Sequence, residues 1–163
     1  MSMIGCFVAI DNATASRICS TPEKIEEFLY PDDGNSVPEN YLEIDKAWHG
    51  IHYLLTGSAE EGPEPLTWAV YLGGDEIGED MGYGPARLLS AEHVRQIADA
   101  LPEETLLSQS YNAKAMEKAE IYPDIWVEEG EEALEYVLGY YEELRKFYQA
   151  AAVRGDRVIQ WIS

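Results

Sequence analysis

A chain of 163 residues, 46% of them hydrophobic, is sized for one globular domain over 1–163 and can close a core without disulfides or metal. Its 31 Asp and Glu outnumber 11 Lys and Arg, and the formal net charge of −20 argues against nucleic-acid binding and against attraction to anionic membranes. No stretch approaches the roughly 20 apolar residues of a membrane span, and the start lacks the basic region of a secretory signal, so the expected location is cytoplasmic.

Residues 3–10 are apolar and nearly continuous, which predicts a strand buried on both faces. Cys6 lies in that run and reads as a small buried hydrophobe; it forms no C-x-x-C pair with Cys19. Asp11-Asn12 supplies cap chemistry for a short helix over 13–19, and Thr21-Pro22-Glu23 opens another, Thr21 as N-cap, to about Leu29. Residues 30–40, with Pro31, Asp32, Asp33, Gly34, Asn35 and Pro38, read as a loop. Residues 41–44 read as extended. Asp45 is the expected N-cap of a helix over 46–56, closed by Gly57.

A Gly/Pro/Glu loop follows at 58–65, and the apolar run 66–72 fits helix or strand equally. Residues 73–85 read as a glycine-rich acidic loop, 86–89 as a strand, and Ser90 as the cap of a helix over 91–101. Pro102-Glu103-Glu104 opens a helix to about Gln109, and another over 112–119 is ended by Tyr122-Pro123. Leu134, Val137, Leu138, Tyr141, Leu144, Tyr148 and Ala151 keep helical rhythm through a long helix, 131–154. Gly155-Asp156 then turns into a strand at 158–162. The implied fold is α/β of the α+β type. One small sheet includes both terminal strands and is packed by several helices, the longest at the C-terminus.

Residues 41–57, Y-L-E-I-D-K-A-W-H-G-I-H-Y-L-L-T-G, carry a resemblance, with the M-I-G-C-F-V-A-I-D start, G-Y-G-P-A-R-L-L-S at 82–90, and Ile121-Tyr122-Pro123. On these the chain resembles the YfbM-like family of small bacterial proteins of unknown function, over nearly its whole length. The resemblance implies a bacterial α/β single domain. It implies no reaction, so it assigns no catalytic residue.

On an ideal helix, Asp45, His49, His52 and Thr56 fall within a stripe about 60° wide, beside an apolar face that includes Trp48. Such a stripe is a candidate zinc site or acid–base pair, and so a candidate metal-dependent hydrolase. Two histidines supply only two ligands where zinc takes three or four, and Asp45 as a cap would be turned to backbone N–H groups. His93 adds no spacing cue. No metal or cofactor is therefore expected. His52 reads as a half-buried histidine bonded to a neighbour, and His49 as a surface one. Asp45, Trp48 and His52 equally fit a packing signature.

The 73–85 loop holds Asp75, Glu76, Glu79 and Asp80 without calcium-loop spacing, and its charge would repel phosphate. It reads as a surface loop suited to recognition, with Glu76 and Asp80 as candidate contacts. G-x-S-x-G, Walker A, H-E-x-x-H and dinucleotide fingerprints are all missing.

Charge segregation is the strongest signal. Residues 47–86 and 119–144 hold no Lys or Arg but many carboxylates. Trp126, Tyr136 and Tyr140 lie in the second stretch and are candidate interface anchors, with Tyr136 and Tyr140 expected to be exposed and Tyr141 in the core. The leading expectation is a non-enzymatic acidic protein that binds a basic protein, as an immunity or inhibitor protein does. Two alternatives stay open: an enzyme using Asp45, His49 and His52, and an acidic homodimer.

Overall fold

The apolar run at the start becomes an interior strand because every residue of β1 (Gly5–Ile10) is buried. The computed structural model describes residues 2–32, 34 and 37–163, so Asp33 and Asn35 of the expected 30–40 loop lie outside the described residues. The other strands are β2 (Tyr41–Glu43), β3 (Asp75–Ile77), β4 (Ala86–Leu89) and β5 (Arg157–Ile162). They form one five-stranded antiparallel sheet in the order β2-β1-β5-β4-β3. The central pair runs in register from Gly5 opposite Ile162 to Ile10 opposite Arg157, so the two ends of the sequence meet.

Alternation along the strands divides the core in two. Cys6, Val8, Ile10, Ile159 and Trp161 face α1 (Asn12–Ser20) and α2 (Ile25–Leu29), where Ala15, Ile18, Ile25 and Leu29 cover them. Phe7, Ala9, Val158 and Ile162 face the larger helical layer. That layer comprises α3 (Trp48–Thr56), α4 (Ala91–Ala100), α5 (Glu104–Ser108), α6 (Ala113–Lys118), α7 (Trp126–Glu129) and α8 (Glu131–Arg154). Helix α8 buries Ala133, Val137, Tyr141, Leu144, Tyr148 and Ala151, and Gly155 ends it in the left-handed region at φ 72°.

Several expectations hold to the residue. Asp11 and Ser90 cap α1 and α4 by accepting from Thr14 and His93 N–H groups, and α6, expected from residue 112, begins at Ala113 with Asn112 as its cap. Both cysteines are free, Cys6 buried and Cys19 exposed.

Four local expectations do not hold. Thr21 makes no side-chain cap; its hydroxyl donates back to the Arg17 carbonyl, and a 3₁₀ turn, Pro22–Lys24, precedes α2. Residues 75–77 pair as a strand, because Arg87 on β4 reaches Glu76 at 3.2 Å and the carbonyls of Gly73 and Gly74 at 2.9 Å each. The ambiguous run at 66–72 is neither strand nor α-helix but a 3₁₀ turn, Leu66–Trp68, held by long-range bonds. Buried Gln160 accepts from Gly73 N–H and donates to the Trp68 carbonyl, while the Tyr148 hydroxyl donates to that of Ala69. Helix α7, finally, has no counterpart in the sequence reading. No helix among the described residues is long and apolar enough to cross a membrane.

Candidate functional site

The matched 41–57 segment sits where β1 and β2 meet the helical layer. Gly5 allows that approach: a Cβ there would lie 2.8 Å from Cβ of Trp48 and 2.9 Å from Cγ1 of Ile44. Asp45–Ala47 winds as a 3₁₀ turn, and α3 begins only at Trp48. Asp45 is therefore not the helix cap expected of it. Its φ is 47°, and its carboxylate accepts from the Tyr136 hydroxyl at 2.7 Å. The same hydroxyl oxygen accepts from the Lys46 N–H at 3.1 Å. Burial, reinforced by the Asp45 carboxylate, raises the pKa of the Tyr136 phenol well above its ordinary value and keeps it protonated.

Trp48 is 7% exposed and stacks with its neighbour His49, centroids 4.9 Å apart, and with Tyr122 at 5.9 Å. The backbone of Met3 ties two of these rings together. The Trp48 indole N–H donates to the Met3 carbonyl at 2.9 Å, and the Met3 N–H donates to the Tyr122 hydroxyl oxygen at 3.1 Å. From beneath, buried Trp126 donates its indole N–H to the Ile121 carbonyl at 2.6 Å. Gly50 makes room for that indole, since a Cβ would stand 2.5 Å from Cη2 of Trp126.

Above this aromatic floor lies a cleft of about 520 Å³. Met3, Trp48, His49, Tyr122 and Pro123 line it on the apolar side, and Glu117, Glu120 and Asp124 supply three carboxylates. A second cleft of about 380 Å³ shares Pro123 with the first and is lined by Asp45, Lys46, Ile125, Glu129 and Tyr136. Glu120 and Asp124, at φ 56° and 66°, and Asp45 are in the left-handed region, which residues other than glycine seldom adopt. Backbone held there at three acidic positions around two adjoining clefts is the kind of outlier that gathers at functional surfaces.

Both histidines of the stripe are engaged. The Tyr122 N–H donates to Nδ1 of His49 at 2.9 Å, so the His49 proton sits on Nε2 and is donated to the Ala59 carbonyl, also at 2.9 Å. His49 is half-buried rather than at the surface, because the 58–61 loop and the Tyr122 turn close over it. Burial lowers its pKa below the ordinary histidine value, partly opposed by the Ala59 carbonyl and Glu60. His52 is fully buried rather than half-buried. Its Nε2–H donates to the Glu61 carbonyl at 3.1 Å, its Nδ1 has no partner among the described residues, and burial pushes its pKa down to about 4. A general base needs a lone pair free to meet substrate, and neither ring offers one to a cleft. Asp45, His49 and His52 thus do not converge. Among the described residues no group of three or more His, Cys, Asp or Glu is placed to hold a metal ion.

The remaining candidates scatter. Glu76 is exposed and pairs with Arg87 on the β3 edge; Asp80 is exposed and accepts from the Gly82 and Gly84 N–H groups. Neither lines the two clefts. Trp126 is 0% exposed, so the expected interface anchor is a core residue that buttresses the site from below. Tyr136 and Tyr140 are half-buried rather than exposed, packed edge to face at 5.3 Å. Glu117, Glu120, Tyr122 and Asp124 enter the site unanticipated. The Tyr122-Pro123 pair was visible in the sequence as a helix stop and as part of the family resemblance, not as a cleft residue pair.

The family model for a domain of unknown function, DUF1877, matches residues 1–161. The chain belongs to this family. It is similar to the crystal structure of YfbM from Escherichia coli, a protein of unknown function. The two share 22% identity over 98% of this chain and 99% of that one, with a TM-score of 0.72. At that identity the likeness shows a shared fold. No curated protein matches the chain. Family membership assigns no reaction to the 41–57 segment. The chemistry the site offers is that of its own residues: an aromatic floor and carboxylates that make no ion pair among the described residues, a combination suited to cations.

Proposed function

We propose that this member of the DUF1877 family is a non-enzymatic binding protein that takes cationic side chains of a basic protein partner into the paired clefts around Pro123. One observation carries the reading. The clefts hold five carboxylates, Asp45, Glu117, Glu120, Asp124 and Glu129, and a single cationic side chain, Lys46. The two side-chain ion pairs among the described residues, Glu76–Arg87 and Arg154–Asp156, lie elsewhere. Asp45 accepts from the Tyr136 hydroxyl and Glu117 from the Val127 N–H, but none of the five is ion-paired among the described residues, and carboxylates without cationic partners repel one another and attract a basic surface at high rate. Aromatic rings beside them supply the desolvated contacts on which interfaces depend.

An immunity or inhibitor role in the cytoplasm suits this profile. The hydrolase built on Asp45, His49 and His52 has less support, because each is bonded to a different partner. Homodimerisation leaves the charge unanswered, since two copies would bring acidic faces together.

The test is capture from the source cell's lysate at low salt with elution by a salt gradient, using the native chain and the triple variant Glu117→Gln, Glu120→Gln, Asp124→Asn. A basic protein retained by the native chain and lost by the variant is the expected result. Equal retention by both, or none by either, contradicts the reading. Solution mass reports the homodimer alternative separately.

A further inference from the structure

We propose that His49 is a proton-operated latch on the cleft: a proton taken up at Nδ1 releases the Tyr122 backbone and frees the 120–124 turn. The inference rests on the cleft being the binding site only for its consequence, not for the latch itself.

The geometry requires this coupling. A backbone N–H can only donate, so the 2.9 Å contact from Tyr122 needs an unprotonated Nδ1. Nε2 already gives its hydrogen to Ala59. A single neutral ring therefore joins two segments far apart in sequence, the 58–61 loop and the turn that carries Tyr122, Pro123 and Asp124. The imidazolium has a hydrogen on both nitrogens, and at Nδ1 it would meet the Tyr122 N–H donor to donor. The ring lines the open cleft, so protons reach it from solvent.

Each neighbouring element brings groups that set where the latch works. Within α3, buried His52 lies one turn on, and its own charging opposes that of His49. From the 58–61 loop come Glu60, which favours the charged ring, and the Ala59 carbonyl, shared with the Tyr71 hydroxyl at 2.9 Å. Glu117 of α6 and Glu120 and Asp124 of the turn, all exposed, line the same cleft together with Tyr122. Burial outweighs these carboxylates, so the ring charges below the ordinary histidine range.

Tyr122 has two further ties, the Met3 N–H on its hydroxyl and the Trp126 indole on the preceding carbonyl. Release is therefore local. The turn loses the His49 tether and keeps these two, together with the Ile121 N–H bond to the Met116 carbonyl at 3.1 Å, while the core stays folded.

The test is nuclear magnetic resonance on the full chain between about pH 7.5 and about pH 4.5, following the His49 and His52 rings and the amides of Tyr122 and Phe7. The Tyr122 amide is expected to shift with the midpoint of the His49 ring. Its exchange protection should fall roughly two- to tenfold relative to Phe7, the equivalent of one net hydrogen bond. His49→Asn keeps an acceptor near the Nδ1 position without a titrating proton, and should leave the Tyr122 shift flat over this range. A Tyr122 amide unmoved while His49 titrates overturns the latch, as does loss of Phe7 protection before His49 charges. If His49→Asn does not fold, the native titration decides alone, because the His52 ring and Phe7 report separately. Binding of a tetra-arginine peptide that weakens in step with the His49 midpoint ties the latch to the cleft. No peptide binding at any pH counts against the cleft reading and leaves the Tyr122 result standing.

Discussion

The Tyr136 hydroxyl donates to Oδ2 of Asp45 at 2.7 Å across 91 residues of sequence, joining the N-terminal part of the long C-terminal helix to the turn before α3. This bond explains why Asp45, an apt N-cap by composition, does not cap. Its carboxylate is drawn to a half-buried phenol, and its backbone takes the left-handed conformation that leaves a 3₁₀ turn ahead of Trp48. The same phenol oxygen accepts from Lys46 N–H, so one side chain fixes both residues.

Tyr136→Phe removes both bonds and leaves the Asp45 carboxylate beside an apolar ring. Urea unfolding is expected to show a loss of about 1–3 kcal/mol, in the range for a hydrogen bond to a charged group. The Lys46 amide should lose exchange protection more than amides of β5 do. An unchanged urea midpoint would mean that water replaces the phenol without cost.

Gly50 is the contact point between α3 and Trp126. A Cβ there has no room at 2.5 Å from Cη2 of the indole and 3.2 Å from Cγ2 of Val137. Gly50→Ala would gain helix propensity at an open position; here overpacking prevails, and a net loss of about 1–3 kcal/mol is expected. The Trp126 indole N–H resonance should move with it, since that group holds the Ile121 carbonyl. A stabilised variant would contradict the packing described.

His52 links stability to pH. Burial lowers its folded pKa to about 4, while the unfolded chain carries an ordinary histidine near 6.5. Between these values the unfolded state binds the extra proton. The contribution of His52 is thus complete above pH 6.5 and is lost as pH falls toward 4. His52→Gln keeps a donor for the Glu61 carbonyl and cannot titrate. The difference in urea midpoint between native and variant proteins is expected to favour the native chain more at pH 7 than at pH 5. A constant difference would show that His52 does not titrate differently on folding.

Trp48→Phe keeps the stack but removes the indole N–H that holds the Met3 carbonyl. A loss of about 0.5–1.5 kcal/mol is expected, with faster exchange at the Met3 amide as that tether on Tyr122 loosens.

What the sequence shows best is what local chemistry decides. The bounds of α8 follow from its heptad-like apolar rhythm and Gly155, and the caps Asp11 and Ser90 from side chains that reach only their own backbone. What it conceals depends on distant partners. Residues 75–77 read as loop because the strand exists through Arg87, and Trp126 read as an interface anchor because nothing nearby shows that Gly50 will receive it. The site divides the same way. Asp45, His49 and His52 stood out as a group with Trp48 beside them, although their geometry is not that of a metal site. Glu120 and Asp124 were lost within a long acidic run and Glu117 between two lysines, and only the turn at Tyr122 sets these three carboxylates around a cleft.

The central claim is that the clefts around Pro123 receive cationic side chains. The most direct test titrates a tetra-arginine peptide into isotope-labelled protein at low salt, follows backbone amides, and repeats the titration with Glu120→Gln/Asp124→Asn. Asp124→Asn suits the left-handed backbone while removing the charge. Shifts concentrated at Trp48, Tyr122, Asp124 and Tyr136, weakened by salt and reduced several-fold in the variant, are the expected result. Shifts spread evenly over the acidic surface and indifferent to the variant would contradict the claim.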